Sequence, residues 1–268
     1  MYKKKCKIFF YTVLIGNYDF ISKPDKKISK NFDIYFITDI KKKYPNTFKK
    51  IEVKKKFLSN FLTSRYYKIF PYNIKEFENF DYSVYFDANI KIKKPVLELL
   101  YKFIKSKCDL GLIKHPQRKN VNEEAELNIK LKKVSKITVD EHNKYYKKHN
   151  YISKNDLTEN NLIFRKHKNF NVKKTMKIWW NLTKKFNVRD QHTLPFARFI
   201  SKSKTLIFNL NLRLENKYID IYPHSGNKQI SRLKFLLLKL SKRYILFQFF
   251  ISFYLFLKNF KKNVKFNF

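Results

Sequence analysis

Asp81-Tyr82-Ser83-Val84-Tyr85-Phe86-Asp87-Ala88-Asn89 is the stretch whose reading decides the fold. Tyr82 to Phe86 has the β-branched and aromatic character of a buried strand. The strand ends on a carboxylate, with an amide two residues later. Side chains two apart on an extended segment point the same way, so Asp87 and Asn89 can converge on one ligand. Hard cations take oxygen ligands, and parallel sheets bind ligands at the C-terminal ends of their strands. A strand followed by an Asp/Asn turn is common, so the weight of this tripeptide comes from its surroundings.

Working outward, residues 6–15 read as a first buried strand, closed by the turn Gly16-Asn17-Tyr18-Asp19. Residues 33–38 form a second strand ending at Asp39, and residues 48–53 a short third. A helix over 58–70 is stopped by Pro71. Downstream, a helix over 95–105 carries Pro at its first turn, and a strand over 110–114 delivers His115-Pro116. Residues 121–149 have a helical pattern, and 162–165 a short strand. Helices over 169–186 and 190–200 and a final strand over 205–209 complete the pattern. Strands alternating with helices predict an α/β fold: a single domain whose mainly parallel central sheet is flanked by helices. Asp19, Asp39, Asp87 and His115 then fall at strand ends, where such sheets bind ligands.

The chain of 268 residues suffices for one large domain, and its 44% hydrophobic and 18% aromatic content argues for a folded core. With Gly16, Gly111 and Gly226 as the only glycines, neither a P-loop nor a Gly-rich dinucleotide fingerprint can be built. The net charge of +39 has two sources in view, a polyanionic partner and the codon bias of an AT-rich genome. Lys greatly outnumbers Arg, whereas base-reading surfaces favour the planar Arg fork, so nucleic acid is not expected as a partner. Cys6 and Cys108 have neither disulfide-scaffold nor zinc spacing, and Cys6 is expected to pack in the first strand. The N-terminus has no small-residue cleavage site, which points to a cytoplasmic protein.

A domain over 1–228 is expected to be followed by a distinct tail over 229–268, with nine Lys/Arg and no Asp or Glu. Its uncharged run over 244–257 would make a helix of about 21 Å, short of the ~30 Å hydrocarbon core. With basic clusters on both sides, a helical tail lying on an anionic membrane surface is expected. A helix packed on the domain itself is the competing reading.

Six segments now appear in order: 11–19, 36–39, 64–71, 85–89, 115–118 with 123–125, and 189–191. Together they resemble the glycosyltransferase-like domain shared by plant mucilage-related and turgor-regulation-defect proteins and bacterial polysaccharide-cluster proteins, over residues 8–225. The resemblance implies a GT-A-like fold and transfer of a sugar from a nucleotide donor. On that reading Tyr11, Thr12, Asn17 and Asp19 hold base and ribose, and Asp39 accepts from the base edge or a ribose hydroxyl. Turn capping explains Asn17, Asp19 and Asp39 equally well. Arg65 and Lys68, three apart on one helix face, suit a diphosphate.

Asp87 and Asn89 are the expected metal ligands, for Mg²⁺ or Mn²⁺ shared with the diphosphate. His224 would complete the metal shell, and Lys228 would touch phosphate. His115, Arg118, Glu123, Arg189 and Gln191 are expected on the acceptor side. An inverting transferase needs a carboxylate base with a raised pKa, and Asp190 is the first candidate, Glu124 the second. A helix cap is the plain alternative for Asp190, and core packing for at least one of Trp179 and Trp180.

The expected function is therefore transfer from a nucleotide-sugar to a bacterial surface polysaccharide, such as lipopolysaccharide, or a glycolipid. It would take place on the cytoplasmic face of the cell membrane. Two rivals stand beside it. One is a metal-dependent hydrolase or phosphotransferase built on Asp87, His115 and His224, the other a non-catalytic basic protein that binds polyanions.

Overall fold

The computed structural model describes residues 6–222 apart from 18, 20, 42 and 43, together with isolated positions 240, 244 and 249. Along them run β1 (Ile8–Leu14), α1 (Lys26–Ser29), β2 (Asp33–Thr38), β3 (Lys49–Glu52), α2 (Asn60–Ile69), β4 (Tyr82–Phe86), β5 (Ile90–Ile92) and α3 (Val96–Ser106). There follow β6 (Leu110–Lys114), α4 (Val121–Lys130), α5 (Lys136–Lys148), β7 (Thr158–Lys166), α6 (Phe170–Phe186), α7 (Asp190–Ser201), β8 (Thr205–Phe208) and β9 (Ile219–Ile221).

Seven strands form the central sheet in the order β3-β2-β1-β4-β7-β6-β8, and β5 pairs with β9 apart from it. β1 is parallel to β2 and β4, β2 to β3, and β6 to β8. Only β7 is reversed, antiparallel to β4 on one side and β6 on the other. The sheet is thus mainly parallel, as the alternating pattern predicts. The C-terminal ends of β1, β2, β4, β6 and β8 share one edge, and reversal brings the N-terminal end of β7 to that same edge.

Both faces of the sheet are covered, which is why β1 reads as an unbroken apolar run. Phe10 and Leu14 join a core with Val84, Phe86 and the α3 stripe of Val96, Leu99, Leu100 and Phe103. That stripe has the i, i+3, i+4, i+7 spacing of a helix burying one face. Phe9, Tyr11 and Val13 alternate to the opposite core, with Met176 and Trp179 of α6 and Leu194 of α7. A third cluster ties α4 and α5 to the ends of α6 and α7 through Val121, Tyr146, Phe186 and Phe196. Both Trp179 and Trp180 are core residues.

Several expectations are corrected. The first strand starts at Ile8, and Cys6 lies exposed ahead of it, outside the core. The helical stretch over 121–149 is two helices. Lys132 adopts a left-handed φ of 54° after α4, and the Ser135 side chain accepts from the Thr138 N–H to start α5. The strand expected at 162–165 is the nine-residue β7. Its pairing with β6 jumps from Leu112↔Ile163 to Ile113↔Glu159, so a bulge of Asn160, Asn161 and Leu162 sits inside the strand. β8 is not the last strand, because β9 returns to pair with β5. Among the described residues no helix is long and apolar enough to cross a membrane. The tail over 229–268 and the boundary before it lie outside the described residues, those three positions excepted.

Candidate active site

At the shared strand edge a cleft of about 450 Å³ opens between the sheet, α4 and the start of α7. Ten of the expected residues line it: Asp19, Arg65, Lys68, Asp87, Asn89, Arg118, Glu124, Arg189, Asp190 and Gln191. They come from five of the six segments, and the sheet's parallel order is what assembles them.

At its centre stands Lys68, on the face of α2 turned to the sheet and only 2% exposed. Its ammonium lies 2.6 Å from Asp190 Oδ2, 3.7 Å from Asp87 Oδ1 and 4.8 Å from the centre of the Tyr85 ring. The backbone beneath it is also fixed. Its carbonyl accepts from the Tyr11 hydroxyl at 2.7 Å and from Arg165 Nη2 at 3.1 Å. Arg165 is itself fully buried and donates to the Tyr11 oxygen at 2.8 Å. Tyr11, expected at the donor's base, is thus a buried brace for Lys68; burial pushes its phenol up to about 12. Thr12 is fully buried as well and has no surface on the cleft.

Asp190 opens α7, and its carbonyl receives Trp179 Nε1 at 2.9 Å and Asn160 Nδ2 at 3.2 Å. Burial works to raise its pKa. The Arg65 and Lys68 charges, the Lys68 hydrogen bond and the Arg189 charge outweigh that, holding the carboxyl well below the usual range. A general base on an acceptor hydroxyl needs the opposite shift. Asp190 is therefore the counter-ion that orients Lys68, which corrects its expected role as base. The second candidate, Glu124, has both oxygens occupied, by Arg118 Nε and by Asn128 Nδ2.

The Asp87-Ala88-Asn89 turn is stitched into place on both sides. The Asp87 N–H donates to the Asn161 carbonyl at 3.0 Å, and the Tyr222 N–H to the Asn89 carbonyl at 3.0 Å. Asn89 Nδ2 donates to the Tyr222 carbonyl at 2.5 Å, leaving Oδ1 as the oxygen it can offer a ligand. Asp87 Oδ1 accepts from the Tyr85 hydroxyl at 2.5 Å, and the side chain is about one-third exposed toward the cleft. Among the described residues no three His, Cys, Asp or Glu side chains cluster as a metal site. One carboxylate and one amide fit a divalent ion only when a diphosphate contributes further oxygens. His224 and Lys228 lie outside the described residues.

Four further expected residues stand away from the cleft walls. Asp39 Oδ1 accepts from the Gly16 N–H at 2.9 Å, fixing the turn after β1, and Asn17 is exposed in that turn with a φ of 54°. Glu123 caps α4. Its carboxylate accepts from the Lys119 N–H at 2.8 Å and Asn120 Nδ2 at 2.9 Å, while Asn120 Oδ1 accepts from the Glu123 N–H at 3.0 Å. His115 is buried behind Arg118 and Arg213. It does not share the cleft with Asp87, so the hydrolase constellation is not assembled.

Sequence reasoning missed Glu159, Asn160 and Asn161 of β7, and Arg213 of the β8–β9 connection, all cleft residues. A Glu-Asn-Asn run reads as loop, and one Arg gives no signal in so basic a chain. Glu159 is 2% exposed; Oε1 accepts from Arg213 Nε at 2.5 Å, and Oε2 has no hydrogen-bond partner. Burial raises its pKa despite Arg213.

No curated protein sequence matches the chain. Among solved structures, mouse xyloside xylosyltransferase 1 in its apo form is similar, with a TM-score of 0.43 at 9% identity. The alignment covers 78% of this chain and 86% of that one. The TOD1/MUCI70 glycosyltransferase-like domain family matches residues 68–224, more than half of the chain. The match runs from Lys68 through Asp87, Asn89, Glu124, Glu159 and Asp190 to Arg213, the residues that converge on the cleft. The chain belongs to the TOD1/MUCI70 glycosyltransferase-like domain family.

Proposed function

We propose that the chain transfers a sugar from a nucleotide-sugar donor to a glycan or lipid-linked glycan acceptor. The observation that carries this reading is the buried Lys68 ammonium, braced by Asp190 and opening on Asp87 and Asn89 beside Arg65. When the bond from the sugar's C1 to the diphosphate breaks, negative charge develops on the leaving oxygens. Cations already fixed in place stabilise that charge without reorganising. Arg65 and Lys68 supply two of them. Asp87 and Asn89 would hold Mg²⁺ or Mn²⁺ against the diphosphate, and the ion would add further neutralisation.

Glu159 fits the acceptor base, since it lines the cleft, has an unpartnered oxygen and has a raised pKa. The acceptor O–H proton passes to Glu159 as the acceptor oxygen bonds to C1, and the nucleoside diphosphate leaves with its electron pair. The acceptor hydroxyl would approach Oε2, the oxygen that the Arg213 contact with Oε1 leaves unpaired. The basic, apolar segment 229–268 would hold the enzyme on the cytoplasmic face of the membrane beside a lipid-linked acceptor.

Thermal unfolding measured with UDP-, GDP-, CMP- and dTDP-sugars, each with and without Mn²⁺, tests the donor assignment. One nucleotide class should raise the Tm, and Asp87→Ala should lose both the Mn²⁺-dependent part of that shift and turnover. No shift with any nucleotide-sugar would refute the reading. Removal of 229–268 should release the protein from anionic liposomes; unchanged binding would refute the membrane assignment.

A further inference from the structure

His115 sits in a hydrogen-bond arrangement that its own chemistry does not satisfy. Its Nδ1 faces two backbone donors, the Arg118 N–H at 2.9 Å and the Gln117 N–H at 3.3 Å. Its Nε2 faces two guanidinium donors, Arg118 Nη2 at 2.9 Å and Arg213 Nη2 at 3.1 Å. A neutral imidazole offers one acceptor and one N–H, and an Arg offers donors only. The backbone amides cannot move without unmaking the turn after β6, so Nδ1 is the acceptor and Nε2 carries the proton. Three N–H groups then converge with no acceptor among them. Burial and the two Arg charges push the imidazole pKa down to about 4, so the ring is neutral at physiological pH.

Both guanidinium groups are held from behind. Glu124 takes Arg118 Nε, Glu159 takes Arg213 Nε at 2.5 Å, and Gln117 Oε1 accepts from Arg213 Nη1 at 3.1 Å. These bonds fix the planes and leave both Nη2 groups turned to His115 Nε2. Arg118, Arg213 and Glu159 line the same cleft as Lys68 and Asp190.

We propose that His115, Arg118 and Arg213 form an oxyanion site that takes an anionic group of the acceptor, a sugar carboxylate or a phosphate. An oxyanion placed there accepts from both Nη2 groups and from Nε2–H, replacing contacts between donors by charge-assisted hydrogen bonds. The site deepens the transferase reading, because calling its ligand the acceptor rests on that reading; the binding itself does not.

Isothermal titration of the full chain with glucuronate, glucose 6-phosphate, inorganic phosphate and glucose at fixed ionic strength tests it. The anionic ligands should bind and glucose should not. Glucuronate alone would identify the carboxylate as the recognised group, and the two phosphates alone a phosphorylated acceptor. Arg118→Gln should weaken binding at least tenfold. Arg213→Lys keeps the charge beside Glu159 but loses the fork, so it should fold and still weaken binding about tenfold. ¹⁵N shifts should report the Nε2–H tautomer of His115 and move on anion addition. Affinity unchanged in both variants would mean diffuse attraction to a basic protein and would overturn the site, as would equal binding of glucose. Anion binding without turnover of any nucleotide-sugar would sink the transferase reading and leave the site standing.

Discussion

Lys68 holds its ammonium where water barely reaches it, and Asp190 is equally enclosed. The pair is stable only as a pair, since removing one partner of a buried ion pair strands the other charge at a cost of about 3–5 kcal/mol. Lys68→Met should therefore lower the unfolding free energy by about that much in urea titration, and Lys68→Met with Asp190→Asn together by clearly less. A double-variant loss equal to the sum of the two single-variant losses would mean that the two residues act separately. Glu159 makes a different prediction. Glu159→Gln keeps the shape of the side chain and should leave the nucleotide-induced Tm shift intact. It should lower kcat for transfer by about 10²-fold or more. A kcat near the native value would remove Glu159 from the reaction.

Among the elements, β6 shows how closely the layers approach. A Cβ added at Gly111 would lie 2.9 Å from Phe103 Cδ2 of α3 and 3.1 Å from Phe164 Cβ of β7. The glycine is there for space, because only its absent side chain lets α3 lie against the sheet. Gly111→Ala should destabilise by roughly 1–3 kcal/mol through overpacking; a variant as stable as the native chain would show that α3 can shift. The β7 bulge has the opposite role. Its extra residues, 160–162, break the alternation with β6 and bring Asn160 and Asn161 to the cleft beside Glu159.

Across the fold, four imidazoles are buried among the described residues, His115, His142, His167 and His192, each 2% exposed or less. Neither nitrogen of His142 has a hydrogen-bond partner. Desolvation, the largest cause in each case, pushes the pKa from 6.5 to about 3 for His142 and to about 4 for the other three. Between 6.5 and those values the unfolded chain binds more protons than the folded one, so stability rises with pH across that window. Falling from pH 7 toward pH 4 should cost about 3 kcal/mol for each fully shifted imidazole. The Asp190 carboxyl, lowered in the fold, adds its own loss only at more acid pH. Tm measured from pH 7.5 to 5 should fall steadily; a flat profile would show that these rings are solvated.

The sequence by itself determined the alternation of the main strands and helices and the residues at the ends of the parallel strands. Apolar runs bounded by turns mark strands buried on both faces, as in β1, β2, β4 and β6. Asp87, Asn89, Lys68, Arg65 and Asp190 were legible because strand ends and helix faces fix where a side chain points. Pairing across the sheet is not encoded locally, so the reversal of β7, its bulge and the β5–β9 ribbon were decided by the tertiary structure. So were the partners of each charge. Only packing shows that Asp190 is spent on Lys68, that Tyr11 braces α2 from within the core, and that Glu159 retains a spare oxygen. The reason is physical: a pKa and a hydrogen bond depend on neighbours within a few ångströms, and those neighbours come from distant parts of the chain.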